Sequence, residues 1–465
     1  MKQPERVSPT WRERLLDLRD GALRAYREFL RTPTMMVTGF LLLALGMYLL
    51  DNMHGSWIDP VSKVLKKRLF IDSRTTSDFL SAIAGGIISV TSITISLLLL
   101  AVQQSAGSLT SAVLDQFLRR TRNQAYFGFF IGLALYCLIV LSTVHESSNS
   151  VLSATVGFAL TLVALYLLIL LLYSTIHQMR PAIIVAAIAD HTLRARDAQR
   201  DLLQRTRAVP VLEGDAAQTT RIAAGRHGYL VAIKLEVLEA ALEGRRGIEI
   251  VLGIQIGSYV TRHDPVAEVR GGDPACHEAI VDEVHRALVI ERHRASDCDP
   301  DYGIEQLTRI AWVTISTAKS NPGPAMHAIR AMRYLLSRWA EQPEVDPDVQ
   351  GLPVVYRDTV PDSLVDALES AMVACSESRQ HQNFAEILEV FSATAHRLPS
   401  KQREAMAAMI ERSIDTIGEH VLTRELCTAL RDAAAMLTAC GRADAAARIH
   451  ATPDRFGRCM GRLQV

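Results

Sequence analysis

The sequence predicts a multi-span α-helical membrane protein: a four-helix transmembrane domain, then a cytoplasmic α+β region and a C-terminal all-α region of helical hairpins. Four apolar segments between residues 34 and 173 each approach the ~17–25 residues that a helix needs to cross a bilayer. The rest of the 465-residue chain is rich in charge, and its 50 basic residues balance its 50 acidic ones. One core rarely holds so long a chain, and the neutral balance gives no support to nucleic-acid binding.

The N-terminal segment, residues 1–33, is predicted to be basic and amphipathic, because apolar side chains alternate there with arginines. Such a segment suits the cytoplasmic surface of a membrane, and a solvated leader helix is the alternative interpretation. It contains no short apolar core followed by a cleavage site, so we expect no removable signal peptide.

Charge around the apolar segments predicts the orientation of the transmembrane domain, residues 34–174. Lys and Arg occur before the first span, after the fourth span and in the loop between the second and third spans. The turn at 145–150, between the third and fourth spans, has none. This distribution predicts that both termini are cytoplasmic. The loop 51–78 departs from the rule, and an interfacial helix over Val61–Phe70 on the outer leaflet would accommodate its basic residues. The predicted spans are about 34–50, 79–102, 126–144 and 151–173.

Two spans carry small or polar residues in a helical pattern. In the third span Gly128 and Gly132 lie four residues apart, a spacing that allows a second helix to approach closely. In the second span a stripe of small and polar residues falls within an arc of roughly 80° when successive residues turn by ~100°. The members of this polar stripe are Ser81, Gly85, Ser89, Ser92, Ser96 and Gln103.

The polar stripe has two interpretations, and both stay open at this stage. It packs against another helix, within a monomer or in a homo-oligomer, or it lines a path for water. The loop that follows carries Arg119, Arg120 and Arg122, a candidate basic mouth on the cytoplasmic side that would bias a pore toward anions.

Beyond the membrane, residues 175–345 are predicted to form a cytoplasmic α+β domain and residues 346–465 a C-terminal α-helical domain. Alternating apolar residues indicate short strands over 248–269, whereas 228–242 and 274–290 have helical patterns. In the C-terminal domain, helices of similar length with tight connections favour stacked antiparallel hairpins.

The three aspartates at 297, 299 and 301 are spaced like the start of a calcium loop. Such a loop requires Gly at its sixth position and Glu at its twelfth, and this chain has Tyr302 and Thr308 there. Capping of the helix that starts near Gly303 is therefore the favoured interpretation.

Metal and catalytic signatures are otherwise weak. Cys276 and His277, with Asp282 and His285, lack the spacing of a zinc motif, so a polar helix face is favoured. We find no phosphate-binding loop, nucleophile elbow or dinucleotide fingerprint. The sequence thus predicts no metal, no cofactor and no catalytic residue.

Two runs of residues together carry a family resemblance. The first extends from Ala84-Gly85-Gly86 to Gly128-x-Phe130, and the second from Arg294 to Pro322. In this order they resemble the bacterial "predicted membrane protein" family known as domain of unknown function 2254, over roughly Thr34–Met332. In the second run the matching positions are Arg294, Asp299, Gly303, Ser316 and Pro322.

The resemblance implies a several-span protein of the bacterial inner (plasma) membrane with a cytoplasmic α+β domain, and it implies no settled activity. The chain departs from the family pattern at Ser320 and Asn321, where the family favours Asn and Asp. A carboxylate function in that loop is therefore not expected here.

Two functions are compatible with these observations. The first is an oligomeric channel-like or transport protein with a cytoplasmic regulatory domain. The alternative is a membrane-anchored sensor or scaffold whose cytoplasmic helices bind a protein partner. A membrane enzyme is disfavoured, because no catalytic motif is found. The expected partners are the lipid bilayer, further copies of the chain and a cytoplasmic protein.

Overall fold

The chain folds as two compact units, Met1–Arg180 and Pro181–Val465. The structure, a computed structural model, describes residues 30–52, 73–108, 121–144, 151–178, 180–212, 219–245, 247–272, 276–317, 322–340 and 351–457.

Within its described residues, the first unit contains four helices that are long and apolar enough to cross a membrane. They are α1 (Arg31–Asn52), α2 (Ser73–Ser108), α3 (Thr121–Thr143) and α4 (Val151–Gln178). The predicted spans lie on these four helices except for residue 144, which follows α3, and each helix extends past its span at one or both ends. Large apolar side chains on the outer faces of α1 and α4, among them Leu42, Ile169 and Tyr173, are exposed, which fits a membrane protein.

The two glycines of α3 allow α1 to pack against it at close range. A Cβ placed on Gly132 would lie 2.3 Å from Phe40 Cδ2, and one on Gly128 would lie 2.9 Å from Pro33 Cα. The Phe40 ring also meets the Phe129 ring edge-on, with centroids 5.3 Å apart. The predicted close approach at this glycine pair is confirmed, with α1 as the partner helix.

At one end of the first unit, Asp51 of α1 caps the N-terminus of α4. Its carboxylate accepts hydrogen bonds from the backbone N–H groups of Leu152 and Ser153, each at 3.2 Å, and from the Ser153 hydroxyl. The Tyr136 hydroxyl donates to the Ser153 carbonyl at 2.8 Å. A carboxylate at a helix N-terminus satisfies N–H groups that lack partners within the helix. These contacts fix α1, α3 and α4 together.

The second unit combines helices with two small sheets. Its helices are α5 (Pro181–Ala198), α6 (Arg200–Arg205), α7 (Leu235–Leu242), α8 (His277–Ala287), α9 (Pro300–Thr317), α10 (Gly323–Ala340), α11 (Val360–Ser378), α12 (His381–Thr394), α13 (Ser400–Ser413), α14 (Arg424–Ala439) and α15 (Ala443–Gly457). Its strands are β1 (Thr219–Ala223), β2 (Gly228–Ile233), β3 (Glu249–Leu252), β4 (Tyr259–Val260), β5 (Pro265–Arg270), β6 (Leu288–Glu291) and β7 (Val354–Val355).

The strands form a four-stranded sheet in the order β1-β5-β3-β7 and a three-stranded sheet in the order β4-β2-β6. All neighbours are antiparallel except β3 and β7, which pair in parallel. Both sheets contribute to one apolar core with α7 and α8, in which Leu230, Ile250, Val266 and Ile280 are fully buried. Strand β7 lies beyond the predicted domain boundary at 345/346, so the sheet draws on both predicted regions. The division into two domains stays a prediction.

Two predicted helices are wrong at one end. Residues 228–233 form β2 rather than the first turns of a helix, and residues 288–290 belong to β6 rather than to the end of one. The two segments pair with each other, Ile233 opposite Leu288. Their apolar positions suit a helix or a strand equally well over so short a distance, and the long-range pairing decides.

The Gly132→Ala substitution should destabilise the first unit by about 1–3 kcal/mol, because its methyl group overlaps the buried Phe40 ring. Thermal unfolding in detergent measures the effect. Gly46→Ala on α1 is the matched control, since a Cβ there meets nothing within 4 Å. Phe40→Leu in the Gly132→Ala background should restore part of the loss. Equal shifts for the two glycine variants would contradict the close approach of α1 and α3.

Candidate functional site

The family-motif residues Arg294, Asp299 and Gly303 come together where α9 begins. Asp299 is 1% exposed and accepts a hydrogen bond from the Tyr302 backbone N–H at 3.1 Å. It therefore caps α9, as the sequence predicted. We call Arg294, Asp299 and Gly303, with the residues that contact them, the α9 junction.

Arg294 compensates the buried charge of Asp299. Its Nε donates to Asp299 Oδ2 and its Nη1 to Glu305 Oε2, each at 2.5 Å, and its Cζ lies 5.3 Å from the Tyr302 ring centroid. Burial lowers the pKa of the Arg294 guanidinium, but the hydrogen bonds and charges of Asp299 and Glu305 outweigh it and raise the pKa overall. The guanidinium is thus held charged at the junction.

A glycine turn closes over the Asp299 carboxylate. Gly257 has a φ of +93°, and a Cβ there would lie 2.2 Å from Asp299 Oδ2. Its backbone N–H donates to the Leu230 carbonyl at 2.7 Å, which fixes the turn to β2. Only glycine satisfies both the backbone angle and the close approach.

Helix α5 packs against the junction from another side. A Cβ on Gly303 would lie 1.9 Å from Thr192 Oγ1, so the glycine allows α5 and α9 to touch. The Gln199 side chain donates to the Cys298 carbonyl at 2.9 Å, directly before the cap. The α9 junction thus joins α5, the turn after β3 and the start of α9.

The neighbouring helix α11 starts with a similar pair. Asp358 accepts a hydrogen bond from the Val360 backbone N–H at 3.2 Å and a two-pronged contact from Arg196 of α5, with Nη1 at 2.9 Å from Oδ1. The Arg196 guanidinium also lies 5.8 Å from the Trp339 ring centroid. Both helix starts are therefore fixed by an arginine and a capping aspartate.

Between α9 and α11 lies a cavity of about 500 Å³, here called the α9–α11 groove. One face of each helix lines it, at three- and four-residue spacings, and Arg294 of the junction reaches its edge. The α9 side contains Asp301, Ile304, Glu305, Thr308, Arg309 and Trp312, and the α11 side Ser363, Asp366, Ala367 and Ser370.

The environment of the groove disfavours the charged form of its carboxylates. Burial raises the pKa of Asp301 and the negative charges of Asp299 and Asp358 add to the rise, whereas the Ser363 hydroxyl and the positive charge of Arg294 oppose it. Asp301 Oδ1 is buried and has no hydrogen-bond partner in the described part of the chain. The pKa of Asp366 is raised as well, first by burial and then by the charges of Glu369 and Asp362, although the charge of Lys401 opposes the rise. Positive charge is therefore favoured in the groove.

The remaining family-motif residues lie elsewhere. Ser316 is exposed near the far end of α9, and Pro322 precedes α10, where its carbonyl accepts from the Met326 N–H at 3.1 Å. Because α9 has 18 residues, its two ends are about 27 Å apart. The five motif positions thus form two separate groups.

In the first unit the predicted stripe faces outward. Its members Ser81, Gly85, Ser89, Ser92 and Ser96 are all exposed. Arg122, at the start of α3, is exposed too. The Gln103 side chain, Arg119 and Arg120 lie outside the described residues.

The histidines weighed as metal ligands fasten α8 to the neighbouring sheet. His277 Nε2 donates to the Gly271 carbonyl at 2.8 Å, and its Nδ1 lies 2.7 Å from Thr220 Oγ1. His285 Nε2 lies 2.8 Å from the Ala223 carbonyl. These contacts favour the polar-face interpretation.

The groove itself was missed by sequence reasoning. Its α9 residues Asp301, Thr308 and Trp312 and its α11 residue Asp366 lie far apart in the chain, on helices that look like ordinary amphipathic ones. The available signal is the run of charged, hydroxyl and aromatic residues at helical spacing on one face of α9.

Gly257→Ala should destabilise the second unit strongly. The left-handed backbone alone costs about 1–2 kcal/mol. Displacing the Asp299 carboxylate from its partners should add about 1–3 kcal/mol. Gly244→Ala is the control, since Gly244 also has a positive φ, of +73°, but a Cβ there meets nothing within 4 Å. Urea unfolding of the full chain compares them, and equal losses would show that Asp299 does not require the glycine.

Asp301→Asn should raise the melting temperature at pH 7. The folded-state pKa of Asp301 is above its ordinary value, so the wild-type protein loses stability as the pH rises through that pKa. The advantage of the neutral asparagine should shrink as the pH falls toward the ordinary value of about 3.9. Asp358→Asn is the contrast, because it weakens the pairing of buried Arg196 and should lower the melting temperature. A loss for Asp301→Asn at pH 7 would contradict the raised pKa.

Comparison with known proteins gives a family and no closer relative. The chain matches the family described as "Predicted membrane protein (DUF2254)" over residues 27–387. No curated protein and no solved structure matches it significantly. The family match includes the four apolar helices, the α9 junction and the α9–α11 groove. Since it covers well over half of the chain, this protein belongs to the DUF2254 family of predicted membrane proteins.

Proposed function

We propose that this protein is a homo-oligomeric channel-like protein of the bacterial inner membrane, in which copies of α2 line a polar path. The second unit acts in the cytoplasm as its regulatory domain, and both termini lie on that side. The observation that carries the proposal is the outward direction of the polar stripe on α2.

One side of α2 is covered by the other helices, and its open side carries the polar stripe beside apolar residues such as Ile93 and Leu100. Leu80, Ala84 and Ile87 are buried against the other helices of the first unit, whereas Ser81, Gly85, Ser89, Ser92 and Ser96 are exposed. A Cβ on Gly85 would meet nothing within 4 Å, so space remains along the stripe. A polar helix face gains more from protein or water than from lipid tails.

The hydroxyl groups of the stripe also suit a water-lined path. Ser96 Oγ donates to the Ser92 carbonyl at 2.9 Å, so the hydroxyl proton of Ser96 already has an acceptor within the helix. The oxygen keeps acceptor capacity for water or for an ion's hydration shell. The distribution of Lys and Arg favours the cytoplasm for the segment between α2 and α3, where Arg119, Arg120 and, at the start of α3, Arg122 would bias conduction toward anions.

The proposal predicts that Ser92→Leu lowers anion flux through reconstituted liposomes while the oligomer persists. A leucine narrows the path and removes a hydroxyl, and a barrier raised by about 1.4 kcal/mol lowers the flux tenfold. Flux is measured with the purified full chain, and oligomeric state by light scattering in detergent. Gly86→Leu is the matched control, because it enlarges an exposed position of α2 outside the stripe and should leave the flux unchanged.

Two outcomes would contradict this function. The first is a wild-type protein that is monomeric in mild detergents and in lipid nanodiscs. The second is a wild-type protein that forms oligomers but conducts no ions, which would favour the membrane-anchored sensor or scaffold. Equal flux through Ser92→Leu and Gly86→Leu would show that α2 does not line the path.

A further inference from the structure

The α9–α11 groove contains charged groups that have no oppositely charged partner of their own. Arg294 forms its ion pairs with Asp299 and Glu305, and it acts on Asp301 through its charge without an ion pair. Asp301, Asp366 and Arg309 form no ion pair within 4 Å in the described part of the chain, although all three line the same cavity. Two negative charges and one positive charge are thus available to a ligand.

These charges follow a definite order along the groove. Ser363 lies beside Asp301 at one end of the groove, which places the first turn of α11 next to the first turn of α9. Asp366 comes three residues after Ser363, or about 5 Å along the helix, and Arg309 comes eight residues after Asp301, or about 12 Å along. From the α9 junction outward, the order is negative, negative, positive.

The groove also offers apolar surface between the charges. Ile304 and Ala367 are buried in its floor, and Trp312, at the far end, leaves 39% of its surface exposed. A cavity of about 500 Å³ is large enough for a small organic molecule. Methylene groups can pack on this floor, and an indole can interact with a nearby cation.

We propose that the groove binds a basic α-amino acid. Its order of charges, terminal ammonium, α-ammonium and carboxylate, complements Asp301, Asp366 and Arg309 in that order. Its aliphatic chain lies on the apolar floor between them. The ligand supplies the positive charge that Asp301 and Asp366 lack and occupies a site independent of the path proposed along α2. Binding there extends across the starts of α9 and α11.

Three related probes test the assignment by titration calorimetry on the full chain in detergent. L-Lysine carries all three charges, cadaverine lacks the carboxylate, and L-norleucine lacks the terminal ammonium. Lysine should bind most tightly, and each missing group should weaken binding by about tenfold, as expected for one charge-assisted contact. No binding of lysine, or equal binding of lysine and norleucine, would overturn the proposal.

Variants assign each contact. Arg309→Gln should weaken lysine binding by about tenfold but leave cadaverine unchanged, because cadaverine has no carboxylate. Asp366→Asn should weaken the binding of all three probes, lysine, cadaverine and norleucine. Glu377→Gln is the matched control on α11, since Glu377 is exposed and lies outside the groove, and it should bind all three probes as the wild type does. Equal effects of Asp366→Asn and Glu377→Gln, with unchanged melting temperatures, would overturn the site.

Discussion

The buried carboxylate of Asp299 is the constraint on which the second unit depends. A charge at 1% exposure is costly unless hydrogen bonds and an opposite charge compensate it. Here the Tyr302 N–H and Arg294 supply that compensation. Because the carboxylate must fit against the turn after β3, Gly257 is required there. The position of α9 relative to the sheets thus follows from one aspartate and its partners.

The groove follows from the same arrangement. Asp299 fixes the start of α9, and Asp358, paired with Arg196, fixes the start of α11. The two anchored helices leave a cleft between them, and their first turns carry Asp301 and Ser363. Arg294 forms its ion pairs with Asp299 and Glu305, and within the part of the chain that the structure describes Asp301 forms none. The interactions that stabilise the fold therefore also leave Asp301 without an ion pair, and the proposed binding of a cationic ligand depends on that charge.

Features encoded by neighbouring residues were predictable from the sequence, and features made by distant residues were not. The spacing of Gly128 and Gly132 predicted close packing, and Asp299 predicted a helix cap, because both signals lie within one or two turns. The contact of Gly257 with Asp299, and that of Asp301 with Ser363, join segments about 40 and 60 residues apart, respectively. The strand at 228–233 was missed for the same reason: its pairing with β6 decides its conformation.

The first unit uses its small residues in two opposite ways. Gly128 and Gly132 are covered by α1, where their lack of side chains allows close van der Waals contact. The serines of α2 are uncovered, while its apolar residues Leu80 and Ile87 occupy the interior. A helix that belonged to a solitary bundle in lipid would place its polar face inward and its apolar face outward. Helix α2 instead leaves its serines uncovered, next to exposed apolar residues such as Ile93 and Leu100. In the proposed oligomer a neighbouring copy of α2, with water between, would offer hydrogen-bond partners to the serines without disturbing the packing of the four helices.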